Sequence, residues 1–95
     1  MRDYELTVIF SPEIAEEDID TAIERVSQYI TEKDGTVSEV NRLGRRKLAY
    51  PINDFRDGNY LLVQLKLDPN QAVKLETNLK SWSDVLRYLL VKPEE

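Results

Sequence analysis

The chain has 95 residues, 41 % of them hydrophobic and 33 % charged, with a formal net charge of -5, which suits one small domain with a thin core and argues against disorder throughout. It contains neither cysteine nor histidine, so disulfides, thiolate metal sites and imidazole-based catalysis are excluded, and a reducing, cytosolic compartment fits. The opening MRDYELTVIFSPE mixes charges around a short apolar run and is no signal peptide, and no window approaches the ~18 apolar residues of a membrane span, so a soluble, intracellular protein with no membrane partner is expected.

Residues 2–10, RDYELTVIF, alternate: Tyr4, Leu6, Val8 and Phe10 share one face, and Asp3, Glu5, Thr7 and Ile9 the other. This is a strand with one buried side, ended by Ser11-Pro12. From about Glu16 to Lys33 the period becomes helical, with Ile19, Ala22, Ile23, Val26, Tyr29 and Ile30 in one stripe. Acids crowd the first turns, where the helix dipole favours them, and Gly35 is expected as the left-handed stop. Thr36 to Ile52 reads as a strand with a bulge around Asn41–Gly44, and Pro51, which has no N–H to donate, places it at a sheet edge. Its alternation puts the Tyr50 ring at least partly in the core.

Asn53 to Asn59 is a turn by composition, with Asp57-Gly58 as its hairpin signal. Tyr60 to Leu67 alternates with Leu61, Val63, Leu65 and Leu67 inward. Asp68-Pro69 supplies an N-cap and a first helical residue for a helix whose stripe is Ala72, Leu75 and Leu79. Trp82 packs near its end, Asp84 to Lys92 is a last strand, and the tail from Pro93 to Glu95 is too short to be a domain.

The order β-α-β-β-α-β, with two right-handed crossovers joined by a hairpin, is an α+β, ferredoxin-like split βαβ sandwich spanning residues 1–95 as one domain. Four antiparallel strands run 4-1-3-2, with both helices on one face. The open face then carries Asp3, Glu5, Thr7 and Ile9, then Tyr60, Leu62, Gln64 and Lys66, then Arg87, Leu89 and Val91. Aliphatics there, Leu62, Leu89 and Val91 among them, are either a partner surface rimmed by charge or ordinary strand propensity.

Charge is laid out unevenly. Six acids and no base lie between Glu13 and Glu24, whereas Arg42, Arg45, Arg46, Lys47 and Arg56 face only Asp54 between Arg42 and Arg56. With a Debye length of about 8–10 Å, such local fields outweigh net charge. One reading of the basic run is a solvated edge strand that repels other edges. The other is phosphate binding, since arginine dominates and its planar fork suits phosphate and base stacking. Tyr50 adds an aromatic nearby, and Arg2 and Arg87 extend the cations across the fold.

Two further readings compete. An acylphosphatase-like hydrolase on this fold needs a phosphate cradle, but Phe10-Ser11-Pro12-Glu13-Ile14 has no glycine and an acid where phosphate would sit. With no nucleophile beside a base, no enzyme and no cofactor are expected. An oligomerising regulatory domain is compatible with the aliphatic patch but leaves the arginines without a role; a stable homodimer on size exclusion would favour it.

The segment LGRRKLAYPI, from Leu43 to Ile52, closely resembles the signature of the bacterial small-subunit ribosomal protein six family. The opening MRDYEL, the Gly58-Asn59-Tyr60 entry to the third strand and the closing VLRYLLVK are similar to that family too. The resemblance covers essentially the whole chain. It implies a split βαβ domain that is monomeric when free and sits, cytoplasmic and ribosome-associated, on small-subunit ribosomal RNA together with small-subunit protein eighteen. Residue by residue it implies RNA contacts from Arg2, Arg45, Arg46 and Arg87; Lys47 matches a basic or polar position of the motif and Tyr50 an aromatic one, and both join the expected RNA-binding set. The aliphatics Leu62, Leu89 and Val91 are the expected protein-partner surface. Many relatives carry further basic residues near Asp3 and Leu86. Many also extend past the C-terminus in a tail that helps hold the partner, so a chain ending at Glu95 implies reduced tail contact.

Overall fold

The structure is a computed structural model that describes residues 1–52 and 54–92. The chain runs β1 (Arg2–Phe10), α1 (Glu16–Glu32), β2 (Thr36–Ile52), β3 (Phe55–Leu67), α2 (Pro69–Lys80) and β4 (Val85–Val91). Asn53, expected at the start of a turn, and the short tail Pro93–Glu95 lie outside the described residues. The four strands make one antiparallel sheet in the order β2-β3-β1-β4, as the alternation and crossover rules require.

Both helices cover one face. Tyr4, Leu6, Val8 and Phe10 of β1 and Leu61, Val63, Leu65 and Leu67 of β3 meet Ala22, Val26 and Ile30 of α1 and Ala72, Leu75 and Leu79 of α2 in a single core. Each of the valine, leucine, isoleucine and phenylalanine side chains contributes about 1.5–3 kcal/mol when fully buried, so the two central strands and two helix stripes carry most of the stability. β2 and β4 are the edges, and Pro51 lies on the edge strand β2, where its missing N–H costs no ladder bond.

Local signals explain the helix ends. Asp68 caps α2 by accepting from the Asn70 N–H at 2.9 Å, with Pro69 in the first turn. α1 has no side-chain cap at Ala15, but Glu16, Glu17 and Asp18 sit in its first turn. Its C-terminus departs from expectation. The left-handed residue is Asp34, with φ 63°, not Gly35. The Gly35 N–H donates to Ile30 O at 2.8 Å and the Asp34 N–H to Thr31 O at 3.1 Å, a Schellman closure with an aspartate in the strained position. Gly35 serves close packing instead: a Cβ there would stand 2.7 Å from Lys66 O and 2.8 Å from both Ile30 Cγ2 and Leu67 Cδ1.

The hairpin between β2 and β3 also differs. β3 begins at Phe55, opposite Ile52, and the left-handed residue of the turn is Asp54, φ 69°. Asp57 and Gly58 lie in the ladder opposite Lys47 and Arg46. Gly58 is there for space, because a Cβ would sit 2.6 Å from Ile9 Cγ2; composition alone does not separate a turn glycine from a packing glycine.

Candidate nucleic-acid interface

Strand register turns the open face into a map. One row across the sheet reads Gly44, Tyr60, Ile9, Arg87; the next reads Asn41, Leu62, Thr7, Leu89; the next reads Glu39, Gln64, Glu5, Val91. Beyond Gly44 and Tyr60 lies the pair Arg46–Gly58, and at the far end Lys66 pairs with Thr36 and with Asp3, whose carboxylate is 3.9 Å from Lys66 Nζ. The face therefore grades from cationic, through an aliphatic band, to acidic.

Two bulges set where β2 aims its cations. Ser38 is the extra residue between the pairs Val37–Leu65 and Glu39–Gln64, and its hydroxyl donates to Gln64 O at 2.9 Å. This unforeseen bulge is what puts Val37 and Val40 on the same face. Leu43 is the second, between Arg42–Leu61 and Gly44–Tyr60, inside the interval expected. Gly44 takes φ 81° to allow it. Beyond it, Arg46 follows the open face, while Arg45 and Lys47 follow the helix side at the sheet's end.

A third irregularity matters most. Between the pairs Lys47–Asp57 and Ile52–Phe55, β2 has the four residues from Leu48 to Pro51 where β3 has only Arg56. The surplus chain leaves the ladder and folds back over the open face. There Ile9, Leu48, Ala49, Tyr50, Ile52, Tyr60 and Arg87 line a cleft of about 170 Å³. Ile9 is 9 % exposed although it faces away from the helices, since the arm covers it. Tyr50, at the β2 edge, reaches Arg87 on β4, the opposite edge: the Arg87 Nη1 donates to the Tyr50 hydroxyl, and the guanidinium carbon is 5.7 Å from the ring centroid.

The sequence-derived residues fare differently. Tyr50 is 53 % exposed, not a core ring; it packs against Arg87 across the sheet. Arg45 is held by Asp57 at 2.8 Å and Arg42 by Asp20 of α1 at 2.6 Å. Among the described residues Arg46, Lys47 and Arg56 make no ion pair. Arg56 has no place in the sequence-derived set, yet it shares a cleft with Lys47, Leu48, Ala49, Tyr50 and Pro51; its position in the basic interval was the available signal. Arg2 stands apart, paired with Leu67 at the other end of β1, roughly 26 Å along the strand from Phe10. The structure thus joins Lys47 and Arg56 with Tyr50 in one cleft and Tyr50 with Arg87 in the next, puts Arg46 on the same hairpin, and leaves Arg2 out.

Leu89 and Val91 are exposed, 58 % and 39 %, and Leu62 is partly buried between Thr7 and Asn41. Among the described residues no cluster of acidic side chains is arranged to hold a metal, and no helix is long and apolar enough to cross a membrane.

Comparison with known proteins adds a family. The profile described as Ribosomal protein S6 matches residues 3–92. The small ribosomal subunit protein bS6 of Dehalococcoides mccartyi is 36 % identical over 95 residues, covering all of this chain and 87 % of the relative. The bS6 protein of Moorella thermoacetica is 37 % identical over 95 residues, covering all of this chain and 97 % of the relative. The crystal structure of 30S ribosomal protein S6 from Thermotoga maritima aligns with a TM-score of 0.91 at 30 % identity, over 97 % of this chain and 87 % of that one.

Proposed function

The chain belongs to the ribosomal protein S6 family, and we propose that it is a structural, non-catalytic component of the bacterial small ribosomal subunit that binds small-subunit ribosomal RNA together with small-subunit protein eighteen. In that role it works on the ribosome in the cytoplasm and is monomeric when free. The observation that carries the reading is the group of cations on one hairpin, Arg46, Lys47 and Arg56, that have no carboxylate partner among the described residues, extended by Arg87 through the folded-back arm. Polyphosphate is the ligand such an arrangement fits: the cations follow an edge and a strand end, spread along a line as the phosphates of a nucleic-acid backbone are.

Arg45 joins them once Asp57 is displaced, and Arg2 supports a second, separate contact at the far end of the sheet. The aliphatic band of Leu62, Leu89 and Val91 suits protein eighteen, lying beside the cations so that protein and RNA are engaged on adjoining surfaces. Each neutralised phosphate contributes about 0.7–0.9 to the slope of log affinity against log salt. Backbone and shape recognition outweigh base reading for such contacts.

Filter-binding titrations with a small-subunit ribosomal RNA fragment, with and without protein eighteen, across a salt series, test this. Substituting Arg46→Ala and Lys47→Ala together is expected to lower the slope by about 1.4–1.8. An unchanged slope removes the hairpin from the RNA interface.

A further inference from the structure

We infer that Tyr50 is a positioning residue for the RNA-binding reading above: the folded-back arm of β2 clasps Arg87 from the opposite edge of the sheet and holds its guanidinium against the same arm that shares a cleft with Lys47 and Arg56. Three independent features support the clasp. The four-against-one mismatch between Leu48–Pro51 and Arg56 supplies the chain length to leave the ladder. Ile9, although on the helix-free face, is buried, so the arm lies on the sheet rather than standing off it. Gly58, whose Cβ would collide with Ile9 Cγ2 at 2.6 Å, sits beside Leu48, whose Cδ2 is 3.8 Å from that position, so the base of the arm is closely fitted.

The physical consequence concerns order. Arg87 is on the strand at one edge and Arg46 on the strand at the other, separated by β3 and β1, about 14 Å laterally at the usual strand spacing. An exposed arginine on an edge strand samples many rotamers, and fixing it on a phosphate costs side-chain entropy. The Tyr50 ring and hydroxyl restrict Arg87 before any ligand arrives. One donor is spent on the hydroxyl, and the remaining N–H groups of the five in a guanidinium stay available for a phosphate. An uncharged side chain thereby determines whether a cation counts.

The test uses the full chain. In the RNA-free protein, nuclear Overhauser contacts between the Tyr50 ring and the Arg87 side chain are expected; their absence overturns the inference whatever the RNA does. With RNA, Tyr50→Leu is expected to lower the salt slope by about 0.7–0.9, the same loss as Arg87→Ala, although no charge is removed. The double substitution is expected to lose no more than either alone. Tyr50→Phe, which keeps the ring over the guanidinium, is expected to retain the wild-type slope. A Tyr50→Leu variant that loses affinity equally at every salt concentration points to base stacking and overturns the positioning role, as does additive loss in the double variant. Failure of the wild-type chain to bind RNA at all removes the RNA reading itself, and the positioning role with it.

Discussion

Asp57 holds Arg45 by both prongs of the guanidinium: Nε donates to Oδ2 at 2.8 Å and Nη2 to Oδ1 at 3.5 Å. The two residues flank the Arg46–Gly58 pair on neighbouring strands. The carboxylate occupies the fork that a phosphate would take. As the Arg45 side chain is 62 % exposed, the pair adds little to folding, about 0–1 kcal/mol. Asp57→Asn is therefore expected to leave stability nearly unchanged while strengthening RNA binding and steepening the salt slope by about 0.7–0.9. Weaker binding in this variant would show that Asp57 orients Arg45 toward the RNA instead of competing for it.

Leu89 projects from β4 beside Thr7 and takes no part in the core. Leu89→Glu is expected to change stability by no more than about 0.5 kcal/mol, as for other surface substitutions. It should weaken association with protein eighteen by more than about 1 kcal/mol, the range of a central interface residue. Calorimetric titration with the partner, beside a denaturant curve, separates the two effects. Intact partner binding would reduce the aliphatic band to strand propensity.

Two glycines predict opposite causes of instability. Gly44→Ala places a side chain at φ 81° with nothing within 4 Å of the new carbon, so its cost is conformational, about 1–2 kcal/mol. Gly35→Ala forces a carbon against a backbone carbonyl and two core side chains and is expected to cost about 3 kcal/mol, at the upper end of overpacking. Urea midpoints of both variants check the ranking, and the reverse order would mean that the α1–β2 junction relaxes more easily than its packing suggests.

Asp68→Ala removes the side-chain acceptor for the Asn70 N–H. About 1 kcal/mol of stability is expected to go with it, seen as a fall in Tm of roughly 4–8 °C for a chain of this size. RNA affinity should not change, because the cap is at the start of α2, remote from the hairpin.

Much of the fold was legible because alternation and helical spacing are local. Tyr4 to Phe10 and Leu61 to Leu67 could only be strands with one wet face, and Ile19 to Ile30 only a helix with one dry stripe. Glycine and aspartate were harder. Asp57-Gly58 has a turn's composition but a ladder's position, and Asp34 took the left-handed conformation expected of Gly35. In both cases the deciding quantity was free space around a carbon atom, set by residues distant in sequence such as Ile9 and Lys66.

The candidate site divides the same way. That cations cluster between Arg42 and Arg56 in an acidic chain is a property of the sequence alone, because charge depends on residue type. So is the βαββαβ order, which follows from hydrophobic period. Which cations remain available is not, since Asp20 and Asp57 neutralise Arg42 and Arg45 only through strand register and helix packing. The meeting of Tyr50 with Arg87 is likewise a tertiary fact. It depends on a stretch of β2 longer than its partner strand and on the bare sheet face that receives it, and no local pattern encodes a contact made across four strands.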